Sequence, residues 1–480
     1  MSSLKTNVIL NYINTLASIV FPLITFPYAA RILLPEGIGL VNFQNSIINY
    51  ITLLSSLGIP LYAVREVARV RDNIEERNRV TVEIALLSLI LAAGGYMIVF
   101  AVGELVPQIN AHLSLFYILS LSILFTALGV SWFYTAVEDF KFITIRGLLI
   151  RCLFVVALFV FVKSKSDLLI YGVVTVGSTV GNNIINFVHL RKYINIFQIK
   201  WKELNIFRHL KPALRIFVLN LSISIYTSLN PVMLGFLSDN VQVGYFTAGS
   251  KISHVILSVI TSMATVLLPR VSNLIKINQK EEFNHLITKV YHYYMALALP
   301  FTFGLICLAQ PLTLIFCGKS FYDASTVVAI TSPIIIFISL TNLIGIQVLY
   351  PYGKEDYVTY STIGGAIINL ILDIPLILLW GANGAAVSTV FAEFTVMIIQ
   401  IKLGRKYIPF KYFDKDVRLY IVSSILMGSV IFLTMKLIQS TLWQLILPTT
   451  LGIILYCSIL YFKKDEVIFS ILRYLKITKQ

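Results

Sequence analysis

Residues 40–64 read LVNFQNSIINYITLLSSLGIPLYAV. This stretch contains no charged side chain, and it is long enough to cross a bilayer as a helix, which needs about 20 residues. Its polar residues recur every three or four positions and therefore share one helical face: Asn42, Asn45, Asn49, Thr52 and Ser56. Hydrocarbon offers such side chains no hydrogen-bond partners. The stretch therefore predicts a membrane helix whose polar face meets protein or water.

The whole chain has the composition of a membrane protein. Of its 480 residues, 57% are hydrophobic and 13% are charged, against about 25% charged in soluble proteins. Mean hydropathy is +0.83. We predict an all-α polytopic membrane protein with about 14 transmembrane helices and no folded soluble domain. The apolar segments, numbered 1 to 14, lie at about 8–30, 40–64, 80–102, 113–137, 143–162, 168–190, 213–237, 243–268, 287–310, 326–350, 357–379, 384–403, 417–437 and 443–462.

The basic residues separate onto alternate sides of these segments. With the N-terminus inside, the inner connections hold 31 of the 38 lysines and arginines, and the outer connections hold 5. Loops rich in lysine and arginine stay on the cytoplasmic side. This pattern predicts that both termini lie in the cytoplasm. Arg151 and Lys251 remain, and both lie deep inside their segments.

The chain contains an internal repeat. An offset of 205 residues places Gly39 on Gly244, Phe21 on Tyr226 and Arg65 on Arg270. Each half holds six segments, and this even number gives both halves the same orientation. Segment 8 repeats the polar stripe of segment 2 with the residues Thr247, Lys251, His254, Ser258, Thr261 and Thr265.

The repeat predicts two lobes with a shared polar cavity. The N-lobe would cover residues 1–192 and the C-lobe residues 213–404. A basic amphipathic linker at 193–212 would join them on the anionic inner leaflet, and residues 405–480 would form segments 13 and 14 and a basic cytoplasmic tail. The alternative for any single stripe residue is a hydrogen bond between helices.

The remaining intramembrane charges indicate the kind of cargo. A central Arg or Lys costs about 2.5–3.5 kcal/mol, so either an internal acid or an anionic substrate must offset Arg151 and Lys251. The deep acids are Asp373 and Glu393. Segments 1 and 7 contain no acid for a cationic cargo. Arginine and lysine suit phosphate, and the polar stripes suit sugar hydroxyls, so a phosphate-bearing amphiphile is favoured.

Catalysis and cofactor binding are not indicated. The sequence has no Walker motif, no G-x-S-x-G and no H-E-x-x-H, and its longest outer connection, at about 311–325, is too short for an active site. Four scattered cysteines lack the C-x-x-C spacing of a zinc site. We therefore predict no enzymatic activity, no cofactor and no metal.

Several motifs resemble the polysaccharide-type flippases of the multidrug/oligosaccharidyl-lipid/polysaccharide exporter superfamily. In the first half these are FPYAARIL at 26–33, GIG at 37–39 and SLGIPLYAVRE at 56–66. In the second half they are VGYFTAGSKI at 243–252, LLPRVS at 267–272, GGAIINLILDIP at 364–375 and GANGAA at 381–386. A cation expected near Ser46 in lipid II flippases is absent, which argues against lipid II as the cargo.

The resemblance implies a two-lobe, V-shaped transporter of O-antigen or capsule biosynthesis in the bacterial inner membrane. It would carry an undecaprenyl-diphosphate-linked oligosaccharide from the inner to the outer leaflet by alternating access, driven by an ion gradient or the membrane potential. By this resemblance Lys251 would hold the diphosphate. Alternatives are a cation-coupled multidrug antiporter, a membrane glycosyltransferase or polymerase, and a scaffold of polysaccharide assembly.

The predicted site residues fall into three groups. Arg31, Arg151 and Lys251 would attract the diphosphate. Possible ion-coupling groups are His254, Asp373 and Glu393. The glycan path would be lined by Asn42, Asn45, Asn49, Thr247, His254 and Ser258. Expected partners are the lipid-linked oligosaccharide, membrane lipid, and polysaccharide polymerase or assembly proteins, with no nucleic acid.

Overall fold

The structure is a computed structural model that describes residues 4–194 and 199–470, with the backbone alone at 4–16, 19, 218–227 and 262–266. Part of the predicted linker (195–198) and the end of the predicted tail (471–480) lie outside the described residues. So do the side chains of Tyr226 and Thr265. The helices are α1 Leu4–Ser56, α2 Ile59–Arg69, α3 Ile74–Leu105, α4 Pro107–Asn110, α5 Leu113–Leu128, α6 Ser131–Ala136, α7 Phe140–Phe161, α8 Leu168–Leu190, α9 Leu210–Leu237, α10 Asn240–Lys276, α11 Lys280–Cys317, α12 Ala324–Thr331, α13 Ile334–Asn342, α14 Glu355–Trp380, α15 Ala382–Gly404, α16 Lys415–Lys436 and α17 Thr441–Phe462.

α1 is two helices joined at a kink. Its 53 residues would span roughly 80 Å as one rod, far more than the hydrocarbon core of a bilayer. The break lies at Leu34, whose φ of 60° is left-handed. Pro35 follows, and proline starts a helix well because its φ is fixed and its missing N–H needs no partner. The two halves of α1 correspond to predicted segments 1 and 2.

A second break separates α1 from α2 at Gly58. This glycine has a φ of 74°, a conformation that glycine adopts at no steric cost. A methyl group on Gly58 would lie 2.7 Å from the amide nitrogen of Phe217 and 2.8 Å from the carbonyl oxygen of Ala213. Gly58 therefore satisfies the turn and also lets α9 approach the start of α2.

The chain divides into two compact units, 1–244 and 245–480. In the first unit α1 packs against α3, α5, α7 and α9. Phe43 of α1 meets Phe236 of α9 edge to face, with the ring centroids 5.3 Å apart. Because α9 packs on α1, it belongs to the first unit by contact. The division into lobes, linker and tail that the sequence suggests at 193–212 and 405 remains a prediction.

α11 is central to the second unit. α12, α13, α16 and α17 pack against it, and α14 pairs with α15. Tyr456 of α17 donates a hydrogen bond to the carbonyl oxygen of Ala296 in α11, at 2.8 Å. Segments 13 and 14 are therefore α16 and α17, helices that pack directly on the core of this unit.

The fold class predicted from the sequence is confirmed. All regular structure among the described residues is helical, and ten of these helices are long and apolar enough to cross a membrane. The count becomes eleven if α12 and the helical stretch Ile334–Leu349, which meet at 42°, form one broken span. The protein is an all-α, multi-pass membrane protein, and the figure of 14 crossings stays a prediction.

Candidate functional site

The polar stripe of segment 2 lies on the second half of α1, and its side chains are accessible at the surface. Asn42, Asn45, Thr52 and Ser56 are partly exposed, and Asn49 is exposed. The Asn42 amide donates to the carbonyl of Ile38 at 2.7 Å, and the Thr52 hydroxyl donates to that of Ile48 at 2.7 Å. The Thr52 hydroxyl donor is thus used within the helix, whereas Asn42 keeps a second N–H. The side-chain oxygens of both residues remain available as acceptors on the face of the stripe.

One end of this stripe opens into a small pocket of about 40 Å³. Thr52 and Ser56 line it together with hydroxyl residues that the sequence analysis did not single out: Ser55, Ser88, Thr126 and Ser131. This volume holds one or a few waters, since one water needs roughly 10–15 Å³ of such space. The hydroxyls of Ser55 and Ser88 donate to carbonyls of their own helices. The pocket therefore presents mainly acceptors.

The stripe of segment 8 lies along α10. Thr247 is buried, and within the described residues its hydroxyl has no hydrogen-bond partner. Lys251 and Ser258 are partly buried, and His254 is exposed. These residues follow steps of four, three and four, so they share one face of the helix. An ammonium, an imidazole and a hydroxyl thus lie in sequence along one face of a membrane helix.

The two predicted arginines differ in exposure. Arg31 is exposed and precedes the Leu34 break of α1 by three residues, whereas Arg151 is partly buried in the middle of α7. A guanidinium at such a depth requires polar or anionic surroundings. Both positions agree with a role in holding an anion.

Arg146 is a further cation, outside the predicted site residues. It lies on α7, donates from Nε to the side-chain oxygen of Asn182 on α8 at 3.0 Å, and stacks over the Phe142 ring at 5.3 Å. Among the described residues its Nη1 has no partner, and neither do the amide atoms of the fully buried Asn186. Asparagines spaced by four in segment 6 are the signal that could have identified this polar pair of helices.

Asp373 forms a buried polar cluster between α14 and α15. Its carboxylate accepts from the Ser388 hydroxyl and from the Asn369 amide, the latter at 3.4 Å, while Asn369 also donates to Ser388 at 3.1 Å. All three side chains are at most 1% exposed. Within the described part of the chain, the second oxygen, Oδ2, accepts no hydrogen bond. Among the described residues Asp373 therefore has an acceptor position without a partner. Glu393 is also buried, on α15.

A group with the geometry of a metal site lies at the start of α16. His292, Asp414 and Asp416 bring ligand atoms within 4.8 Å of one another. Both oxygens of Asp414 are already engaged, one by the Val417 amide at 2.9 Å and one by His292 at 2.7 Å. Burial raises the pKa of Asp414, but these hydrogen bonds outweigh it and hold the pKa below its usual value. The group is explained as a helix cap that ties α16 to α11.

The fold defined by these helices is that of multi-pass membrane transporters. A solved structure described as lipid II flippase MurJ in an inward closed conformation matches with a TM-score of 0.69 and 18% identity, over 96% of this chain and all of that one. An inward-facing multidrug resistance transporter of the MATE family matches with a TM-score of 0.65 and 15% identity, over 82% of this chain and 94% of that one. At these identities the likeness concerns the fold.

The chain belongs to the polysaccharide biosynthesis protein family, whose profile matches residues 4–275. It is also similar to a curated protein of Escherichia coli named "Putative O-antigen transporter". The two are 25% identical over 403 residues, which cover 84% of this chain and 97% of that protein. The resemblance that the sequence motifs suggested is confirmed by the family match.

Proposed function

We propose that this protein is a flippase that moves an undecaprenyl-diphosphate-linked oligosaccharide repeat unit from the inner to the outer leaflet by alternating access. The observation that carries the proposal is the face of α10, where the partly buried Lys251 lies between hydroxyl and imidazole side chains. An ammonium inside a membrane segment marks a candidate site for an anionic group. The family membership and the E. coli relative's name support a cargo of surface-polysaccharide synthesis.

Lys251, Arg31 and Arg151 are proposed to attract the diphosphate. A lysine ammonium binds phosphate as a point charge, while arginine offers a planar pair of donors. Arg146 joins this set because its buried Nη1 has no partner among the described residues. Cations on several helices would let the headgroup keep a counter-charge while the helices around it change position.

The hydroxyl- and amide-bearing faces are proposed to carry the glycan. Asn42, Asn45 and Asn49 on α1 and Thr247, His254 and Ser258 on α10 offer donors and acceptors that fit sugar hydroxyls. Such contacts are weak individually and depend little on which sugar is present. The path would therefore tolerate a variety of repeat units, while the diphosphate supplies most of the binding energy.

Asp373 is proposed to couple transport to a cation gradient. One oxygen of its buried carboxylate is hydrogen-bonded, with the polar atoms of Asn369 and Ser388 beside it, and the other oxygen has no partner in the described part of the chain. A proton or a sodium ion at this other oxygen would neutralise the charge that burial makes costly. His254 and Glu393 remain secondary candidates for this role.

A multidrug antiporter is the second candidate function. The fold shared with the multidrug transporter supports it, as does a buried carboxylate that could exchange a cation. A glycosyltransferase or polymerase is disfavoured because no soluble domain is present among the described residues. We propose transport without catalysis, in the bacterial inner membrane with both termini cytoplasmic, alongside polymerase and assembly proteins.

The experiment is complementation of a strain that lacks the corresponding flippase. Lys251→Ala is expected to abolish surface polysaccharide while lipid-linked repeat units accumulate, and Lys251→Arg should retain part of the activity because the charge is kept. The matched control is Lys276→Ala, an exposed lysine at the end of the same helix. Full surface display by a normally expressed Lys251→Ala protein would refute the assignment. Drug resistance that is insensitive to Lys251 would favour the antiporter.

A further inference from the structure

The segment Lys200–Lys211, called here the interfacial segment, presents aromatic and basic side chains outward. It consists of two 3₁₀ turns, Trp201–Glu203 and Ile206–His209, directly before α9. Trp201 is 55% exposed and Phe207 is 65% exposed. Lysines at positions 200, 202 and 211 are exposed beside them. A short segment with this pattern at the end of a membrane helix has the chemistry of a membrane-surface contact.

A buried carboxylate on α3 holds this segment in place. Glu83 is 1% exposed and accepts from the backbone N–H of Asn205 at 2.8 Å and from Nε of Arg208 at 2.9 Å. The second nitrogen of the same guanidinium, Nη2, also reaches it, at 2.5 Å. Charge-assisted bonds of this kind are roughly twice as strong as neutral ones. These bonds to α3 therefore fix the backbone of the segment.

The contacts of Glu83 with the interfacial segment are called here the clamp. His209 extends the clamp to α2. Its Nε2 lies 2.9 Å from Glu83, and its Nδ1 lies 2.7 Å from the Tyr62 hydroxyl. With Glu83 ionised, Nε2–H donates to the carboxylate and Nδ1 accepts from Tyr62. His209 is 3% exposed and Tyr62 is 4% exposed. Three elements, α2, α3 and the interfacial segment, are thus joined through one imidazole and one carboxylate.

The clamp determines which charges remain for an outside partner. Arg208 is neutralised by Glu83, and Lys200 lies 3.7 Å from both Glu75 and Glu203, where surface pairs contribute little. Lys202 and Lys211 form no ion pair within the described residues. Lys202 and Lys211 therefore supply positive charge in the segment that carries Trp201 and Phe207, and this charge complements an anionic leaflet.

We propose that the interfacial segment binds the anionic headgroups of the inner leaflet, with Trp201 and Phe207 inserted at headgroup depth. Amphipathic aromatic rings prefer that depth, and lysines near an anionic surface gain attraction from it. Rigid clamping by Glu83 means that the aromatic side chains are presented without a large ordering cost. This contact is independent of the cargo, so failure of the proposed transport function would leave it standing.

The test is fluorescence quenching of Trp201 in the full-length protein reconstituted into vesicles with brominated lipids. The contribution of Trp201 is the quenching of the wild type minus that of Trp201→Phe. The control is Trp443, an exposed tryptophan at the start of α17, whose contribution is obtained in the same way from Trp443→Phe. Lipids brominated near the glycerol should quench Trp201 more strongly than lipids brominated near the chain end. Quenching should rise with the fraction of phosphatidylglycerol, whereas quenching of Trp443 should not.

Three further variants make the result decisive. Lys202→Gln and Lys211→Gln should each raise the phosphatidylglycerol fraction needed for half-maximal quenching, by up to about fivefold. Glu83→Gln should keep the lysines but release the clamp, so that trypsin cleaves at Lys202 faster than in the wild type. Quenching of Trp201 that is absent or independent of phosphatidylglycerol would overturn the proposal and would indicate a protein partner for this surface.

Discussion

The contact between Gly39 and Gly244 offers a sharp test of the packing around α1. These are the glycines that the 205-residue offset superposes, and both lie within the first unit. A methyl group on Gly39 would lie 2.7 Å from the carbonyl carbon of Asn240 and 2.8 Å from the amide nitrogen of Gly244, with the carbonyl oxygen of Asn240 nearer still. A methyl group on Gly244 would lie 2.7 Å from the carbonyl carbon of Pro35. Each glycine therefore meets the backbone of the opposite helix.

The cost of Gly39→Ala follows from these distances. Carbon atoms pack at about 3.5 Å, so the helices must separate by at least about 0.8 Å at this point. Overpacking costs about 1–3 kcal/mol, and the upper end applies because backbone atoms cannot rotate away. Replacing glycine by alanine stabilises a helix by at most about 1 kcal/mol, because alanine has the higher helix propensity. The net loss should be about 2 kcal/mol.

The matched control is Gly94→Ala in α3, where an added methyl group would meet no atom within 4 Å. That variant should be neutral or stabilised by up to about 1 kcal/mol, which separates the two alanine variants by about 3 kcal/mol. Unfolding in mixed micelles, followed by near-ultraviolet circular dichroism, measures the difference. The double variant of Gly39 and Gly244 should cost less than the sum, because the first methyl group already separates the helices. Equal stability of the Gly39 and Gly94 variants would refute this account of the contact.

Two further predictions concern ionisable groups. Asp373→Asn should leave a folded protein that exchanges cargo across the membrane but no longer accumulates it against a gradient. The control is Asp323→Asn, at an exposed position. Gradient-driven transport by Asp373→Asn at the wild-type rate would contradict ion coupling at Asp373. His209 faces Glu83 of α3, Tyr62 and Glu66 of α2 and the neighbouring Arg208, and burial lowers its pKa. Since the open segment would titrate near pH 6.5, the clamp should be intact above that value and weaken as the pH falls below it. As the pH is lowered from 7.5 to 5.5, hydrogen exchange of residues 200–211, corrected for intrinsic rates, should accelerate in the wild type and not in His209→Gln. Exchange rates in the wild type that do not depend on pH would show that His209 does not control the clamp.

The helical class of the protein could be predicted because lipid imposes a simple rule. Every backbone group in hydrocarbon must be paired within the segment, so long apolar runs have one structural solution. The 25-residue run at 40–64 illustrates this, since it forms the second half of α1 and the start of α2. The break between segments 1 and 2 was expected, because Pro35 lies in the connection between them. The left-handed φ of Leu34 was not predicted, because tertiary packing sets it.

The candidate site was predicted in part for a related reason. Periodicity places residues on one face of a helix, so the shared face of Lys251, His254 and Ser258 follows from spacing alone. Contacts between distant segments do not follow from periodicity. The pairing of Glu83 with Arg208 and of Asp373 with Ser388 joins residues on different helices or turns, and only the folded chain brings them together. The role of Arg146 was missed for the same reason.

The central claim is that a cation on α10 holds the diphosphate of a lipid-linked glycan during transport. The most direct measurement is flipping in vesicles that contain the purified protein and a fluorescent undecaprenyl-diphosphate oligosaccharide, with leaflet exposure read by an impermeant quencher. The wild type should move this lipid faster than a neutral glycolipid with the same glycan, and Lys251→Ala should abolish that preference while Lys276→Ala retains it. Equal movement of both lipids, or an unchanged preference in Lys251→Ala, would contradict the account.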